Sequence, residues 1–355
     1  MPERDEVVET QLLPRAVKQS VQRLERSAPT VGTAGAALPS ALRIDTARRL
    51  IQAGRASGDP RTLGYAEAHL ALVPDSGAIG VEALVLRATI EQSRHRFDAA
   101  RALLDRALEQ SPMHVQARLT RATIAHVRGD LTAARADCDA LQNPAPGVAV
   151  ICRAINDSLS GSNAQALKDL EGVNDPTLRS WALSLAGEIH EQQGALGAAV
   201  RAYNASLAIG VDLYTSLSLA DALIAQQRWP QAEALLSPLP PTDAVLLRRW
   251  IVARAQQRDA VSLESQLAAR FSDAQARGEL LHAREAALFA LERGDSVQAL
   301  VLARQNWNDQ REPADLRILA RAGRAANDSS ALVEVRDWLA QTGLRDVRIE
   351  RVLAK

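Results

Sequence analysis

The side chains able to do chemistry are scattered along this chain. Its six histidines, His69, His95, His114, His126, His190 and His282, include no pair three or four residues apart, the spacing that presents two metal ligands on one helix face. His190-Glu191 lacks the second histidine of a zinc-protease helix. There is no Gly-x-Ser-x-Gly elbow to expose a nucleophile and no Gly-rich loop ending in Lys-Ser or Lys-Thr to cradle phosphate. Cys138 and Cys152 are too few for a disulfide framework and lack Cys-x-x-Cys spacing, although a single bridge is open to them. Carboxylates abound, but the role expected of residues such as Asp130 and Asp295, each after a glycine, is to cap helix N-termini. The expectation is therefore no catalytic residue, no metal and no cofactor.

Recognition chemistry is bounded by charge. Forty-two basic and 42 acidic residues cancel, which removes the overall field of a protein that tracks nucleic acid. Lys18, Lys168 and Lys355 are the only lysines, so nearly all the cations are arginines. No apolar run reaches the roughly 18 to 20 residues that span a bilayer, and Met1–Glu9 is charged, so the sequence reads as soluble, untargeted and not inserted in a membrane. Apolar residues are 47% of the chain but aromatics only 3%, a composition of Ala, Leu, Val and Ile that favours close-packed helices over sheets.

The elements that must position these groups follow from the breaks. Pro14–Arg26 has helical spacing, and Ser27–Ser40 reads as a linker. From Ala41 onward, amphipathic helices alternate with short turns: Gly58-Asp59-Pro60, Arg128-Gly129-Asp130, Gly161-Ser162-Asn163, Gln193-Gly194, Arg293-Gly294-Asp295 and Ala326-Asn327-Asp328. Aligning Val81–His114 with Val115–Val148 gives 13 identities in 34 positions, including Arg87-Ala88-Thr89-Ile90 against Arg121-Ala122-Thr123-Ile124. A 34-residue helix-turn-helix unit resembles the tetratricopeptide repeat. Small residues at Ala88, Ala122, Ala154, Gly187 and Ala220 match that pattern. So do the second-helix pairs Ala100/Leu104, Ala134/Cys138, Ala199/Tyr203 and Ala232/Leu236. The resemblance implies an all-α, right-handed solenoid of stacked antiparallel hairpins. Its parts would be an N-terminal segment (1–40), the array (41–341, best units 81–239) and a C-terminal capping helix (342–355).

Arg87, Arg121 and Arg153 depart from the pattern, standing where the family usually has Leu. Stacked as a ladder, they either pair within their own hairpins, Arg87 with Asp105 and Arg121 with Asp139, or form a basic strip for a partner's carboxylates. Further segments, including Asp337-Trp338-Leu339-Ala340, Thr342-Gly343-Leu344 and the opening Val7–Pro14, resemble a group of commonly exported proteobacterial tetratricopeptide proteins. That resemblance implies a periplasmic location, with a cytoplasmic one if the N-terminus is native. It also points to gene neighbourhoods with a nickel/cobalt-type membrane transporter. Cys138 and Cys152 would be two buried thiols, or a disulfide if the protein is exported.

In a stacked array the first helices line the inner wall. Phased on the turns, Thr89, Gln92, Thr123, His126, Ile155, Trp181, Glu188, Tyr214 and Asp221 point inward, with Trp181 and Tyr214 as anchors. The function expected is a non-catalytic scaffold holding an extended peptide or helix of an envelope or membrane-associated partner. The rival is a small-ligand sensor or carrier whose solenoid closes around its ligand.

Overall fold

The computed structural model describes residues 38–57, 59, 61–277 and 283–354. The helix read at Pro14–Arg26, Gly58 and Pro60 of the first turn, and His282 lie outside them. Among the described residues there are nineteen α-helices and no strand. They form nine antiparallel hairpins: α1 Ser40–Ser57 with α2 Arg61–Leu70, α3 Gly77–Ser93 with α4 Phe97–Gln110, and α5 Val115–Arg128 with α6 Leu131–Ala140. Next come α7 Pro146–Leu159 with α8 Asn163–Glu171, α9 Pro176–Gln192 with α10 Leu196–Ile209, and α11 Leu213–Ala225 with α12 Trp229–Leu236. The array ends with α13 Asp243–Ala255 and α14 Val261–Ala276, α15 Ala283–Arg293 and α16 Ser296–Asp309, α17 Pro313–Ala325 and α18 Ser329–Thr342, then a single helix, α19 Val347–Ala354.

One turn geometry recurs at eight of the hairpins. A left-handed residue stands at each: His95, Gly129, Gly161, Gly194, Gln227, Gln257, Gly294 and Asn327. The following N–H then bonds to the carbonyl five residues back, as in Asp130 to Ala125 (2.8 Å) and Arg228 to Leu223 (2.9 Å), which closes the first helix with a Schellman motif. Asp130, Asp295 and Asp328 cap the second helices by accepting from Ala133, Gln298 and Ala331. Where helices press together the small residues are wholly covered: Ala88, Ala122, Ala154, Ala220, Ala100, Ala134, Ala199 and Ala232 are all 0% exposed. A Cβ on Gly187 would lie 2.3 Å from the Tyr203 ring.

The arginine ladder runs in a different register from the one expected. Arg87 pairs with Asp75 instead of Asp105, and Arg121 with Asp105 (2.6 Å) and Asp137 (2.7 Å) instead of Asp139. Asp139 instead approaches Arg153 (3.7 Å). Side chains on a helix lean toward its N-terminus, so Arg87 and Arg153 reach back to the unit before them, while Arg121 spans both, meeting Asp105 of the unit before and Asp137 of its own hairpin. The same reach caps the preceding second helix. Arg87 donates to the Val73 carbonyl at 2.9 Å, Arg179 to that of Val173 at 3.1 Å and Arg249 to that of Leu236 at 3.1 Å, supplying positive charge at a helix C-terminus. Cys138 on α6 and Cys152 on α7 form a disulfide with Cα atoms 5.3 Å apart, stapling consecutive hairpins.

The array bends until distant units touch. The Arg311 N–H donates to the Val127 carbonyl (2.7 Å), Arg128 pairs with Asp309 (2.9 Å), and Gln310 meets His95 (3.2 Å). Glycines make this approach possible. A Cβ on Gly129 would sit 2.4 Å from Trp338, and one on Gly161 2.2 Å from the Gly343 carbonyl oxygen. Farther along, Arg348 on α19 pairs with Glu191 on α9 (3.2 Å). The C-terminal hairpins thus lie across the turn edge of the earlier ones and partly roof the groove.

Candidate binding site

Under this roof are two adjoining chambers. The larger, about 500 Å³, is lined by α5, α7, α9 and α11 together with Glu312 and Pro313 at the start of α17. The smaller, about 260 Å³, shares Glu188, Gln192, Tyr214, Glu312 and Pro313 with it.

Six of the nine inward residues read from sequence meet at the larger chamber: Thr123, His126, Ile155, Trp181, Glu188 and Tyr214. Asp221 lines the smaller one, held by Arg248 at 2.5 and 2.8 Å. Thr89 and Gln92 line neither. Thr89 is buried, with its hydroxyl donating to the Val85 carbonyl at 2.9 Å, and α3 lies short of the stretch that Glu312 and Pro313 cover. Sequence phasing missed Gln192, Glu312, Pro313, Arg317 and Arg348, all chamber residues. The last four come from the far end of the chain, and no local period carries that information.

Burial shapes the electrostatics. Desolvation raises the Glu188 carboxyl to about 8, with the Tyr214 hydroxyl and Arg348 opposing and Glu312 and Glu191 reinforcing. Tyr214 is raised well above its usual range, first by Glu188 and then by burial. It nevertheless keeps 58% of its surface free while lining both chambers, so its ring is presented to the space between the walls. Desolvation lowers His126 to about 4, leaving a neutral imidazole at physiological pH. Glu191 is raised by burial and accepts from the Tyr203 hydroxyl at 2.9 Å.

In the smaller chamber most arginines are matched. Arg284 forks onto Asp315 (2.6 and 2.7 Å) and also meets Glu312, while Arg348 holds Asp346 (2.7 Å) as well as Glu191. Arg317 has no ion pair among the described residues, and burial lowers its pKa. These groups can hold a polar ligand. Among the described residues, no three His, Cys, Asp or Glu side chains form a metal-binding group, and no helix is long and apolar enough to cross a membrane.

Comparison with known proteins places this geometry. Residues 85–149 match the tetratricopeptide repeat family. No curated protein matches the chain in sequence. Among solved structures, the APC/C hetero-tetramer Cut9–Hcn1 matches with a TM-score of 0.55 at 14% identity over 88% of this chain. This chain spans 62% of that one's length. The Rap protein complexed with Competence and Sporulation Factor matches with a TM-score of 0.52 at 11% identity, over 96% of this chain and 94% of that one. At these identities the likeness is one of fold. The chain is an all-α, tetratricopeptide-like solenoid whose residues 85–149 match the repeat family in sequence.

Proposed function

We propose that this protein is a non-catalytic binding protein that holds a short, extended peptide segment of a partner between the inner wall of α5–α11 and the roof made by the start of α17. The observation that carries this reading is the meeting of Trp181, Tyr214, Glu188, Thr123, His126 and Ile155, from four successive hairpins, around one chamber of about 500 Å³. A pocket of that size with aromatic anchors and a few fixed polar groups suits a ligand of a few residues. The balanced charge supports a peptide over nucleic acid. The Cys138–Cys152 disulfide supports an oxidising compartment, hence a periplasmic location and an envelope or membrane-associated partner.

The chamber's size also favours a second reading, a sensor or carrier of a small organic ligand. Affinity selection from a randomised pentapeptide pool, read by mass spectrometry, separates the two. The peptide reading expects the wild type to retain a defined subset that Trp181→Ala and Tyr214→Ala lose. Retention of nothing by the wild type, alongside thermal stabilisation by small molecules, would favour the carrier. Equal retention by both variants would refute the proposed chamber.

A further inference from the structure

The charges lining the larger chamber have one sign. Glu188, Asp212 and Glu312 face it, and no Lys or Arg does among the described residues, although acids and bases balance over the whole chain. Two of the three carboxylates are engaged. Asp212 caps α11 by accepting from Thr215 N–H (2.8 Å), and Glu312 is ion-paired with Arg284, which belongs to the smaller chamber. Glu188 forms no ion pair among the described residues, and its carboxyl accepts from the Tyr214 hydroxyl. A separate observation points the same way. Gln192, 5% exposed, lines the chamber, yet its Oε1 has no hydrogen-bond partner. Buried polar atoms are nearly always paired, so an orphan on a chamber wall marks where a ligand's donor belongs. Trp181 and Tyr214 add aromatic faces, which attract cations.

Resting on the peptide reading above, we propose that the larger chamber binds a primary ammonium group, the free N-terminus of the bound peptide. Glu188 is its counter-ion, Gln192 Oε1 is a further acceptor, and Trp181 and Tyr214 flank it. His126, held neutral by burial, does not repel the cation.

This assignment has a proton signature. In the empty chamber the Glu188 carboxyl, raised to about 8, faces Glu191 on its own helix, Tyr203 on α10, Tyr214 on α11, Glu312 before α17 and Arg348 on α19. At pH 7 it is therefore roughly nine-tenths protonated, and pairing with an ammonium expels that proton to the buffer.

The test uses the full-length protein with a randomised pentapeptide pool bearing free N-termini, the same pool N-acetylated, and putrescine. The wild type should retain the free pool at least about tenfold better than the acetylated pool, and Glu188→Gln should abolish that preference. The most enriched peptide, resynthesised, should release between about 0.5 and 1 proton on binding the wild type at pH 7. Calorimetry in buffers of different ionisation enthalpy reads this without reliance on a variant. Equal retention of both pools, or no proton release, overturns the ammonium site and leaves the peptide reading standing. Retention of neither pool and no binding of putrescine overturns both. Binding of putrescine alone, lost in Glu188→Gln, supports the ammonium site and overturns the peptide as its source.

Discussion

Glu188→Gln should stabilise the unliganded protein, and increasingly so as pH rises. The carboxyl is raised from 4.5 to about 8 by burial in the chamber wall, so between these values the native state holds a proton that the unfolded chain has given up. The contribution of such a group is fully present below pH 4.5 and is lost as pH rises through about 8. Each unit in that window corresponds to about 1.4 kcal/mol, which sets a ceiling near 5 kcal/mol. Glu188 keeps part of its surface toward the chamber, and screening there reduces the expectation to about 2 kcal/mol at pH 8. Glutamine keeps the shape and the oxygen that accepts from Tyr214 but cannot titrate, and groups common to both proteins cancel in the difference. Urea unfolding at pH 5, 6, 7 and 8 should therefore give nearly coincident midpoints at pH 5 and a growing advantage for the variant above pH 6. A difference that is constant with pH, or an advantage for the wild type at pH 8, would show that the carboxyl is not held protonated by its surroundings.

Three other perturbations probe the framework. Gly161→Val should open the contact between the early and C-terminal hairpins, because Gly161 has φ +83° and a Cβ there would lie 2.2 Å from the Gly343 carbonyl oxygen; small-angle scattering should report a larger radius of gyration with helix content unchanged. Cys138→Ser with Cys152→Ser should lower stability by about 3 kcal/mol in chemical denaturation, the loop-closure value for a bridge spanning 14 residues. Arg121→Glu sets a third carboxylate beside Asp105 and Asp137, whose side chain is only 4% exposed, and should cost about 3 to 5 kcal/mol of stability by the same assay.

The sequence made some features legible because they are local and periodic. The alanines at helix crossings recur since two backbones can approach only over a small side chain, and the turns at Gly129, Gly161, Gly194 and Gly294 announce themselves because glycine takes positive φ freely. Gln227 and Gln257 adopt the same left-handed conformation without that signal; the Schellman bonds of Arg228 and Arg258 hold them there, and no residue type reveals it. The arginine ladder was readable as a ladder but not in its partners, since spacing alone does not say that Arg87 and Arg153 reach back while Arg121 also keeps a carboxylate of its own hairpin, Asp137. Trp338 and Gly343 stood out as a motif, yet their packing against Gly129 and Gly161 joins segments too far apart in sequence for any repeat to encode.

That long-range contact changes what the inner wall can do. An open groove would meet a ligand on one side, and its affinity would come from the first helices alone. Here Glu312 and Pro313 stand across from Trp181 and Glu188, so a ligand that fills the chamber touches both the early and the late hairpins. Such a ligand favours the closed arrangement over the open one by the free energy of its contacts with the roof. Conversely, the ties that hold the roof, Arg311 to Val127 and Arg128 to Asp309, set how much of that free energy is already supplied before the ligand arrives. If the chamber binds as proposed, loosening them should weaken binding without touching a single residue of the chamber wall on α7, α9 or α11.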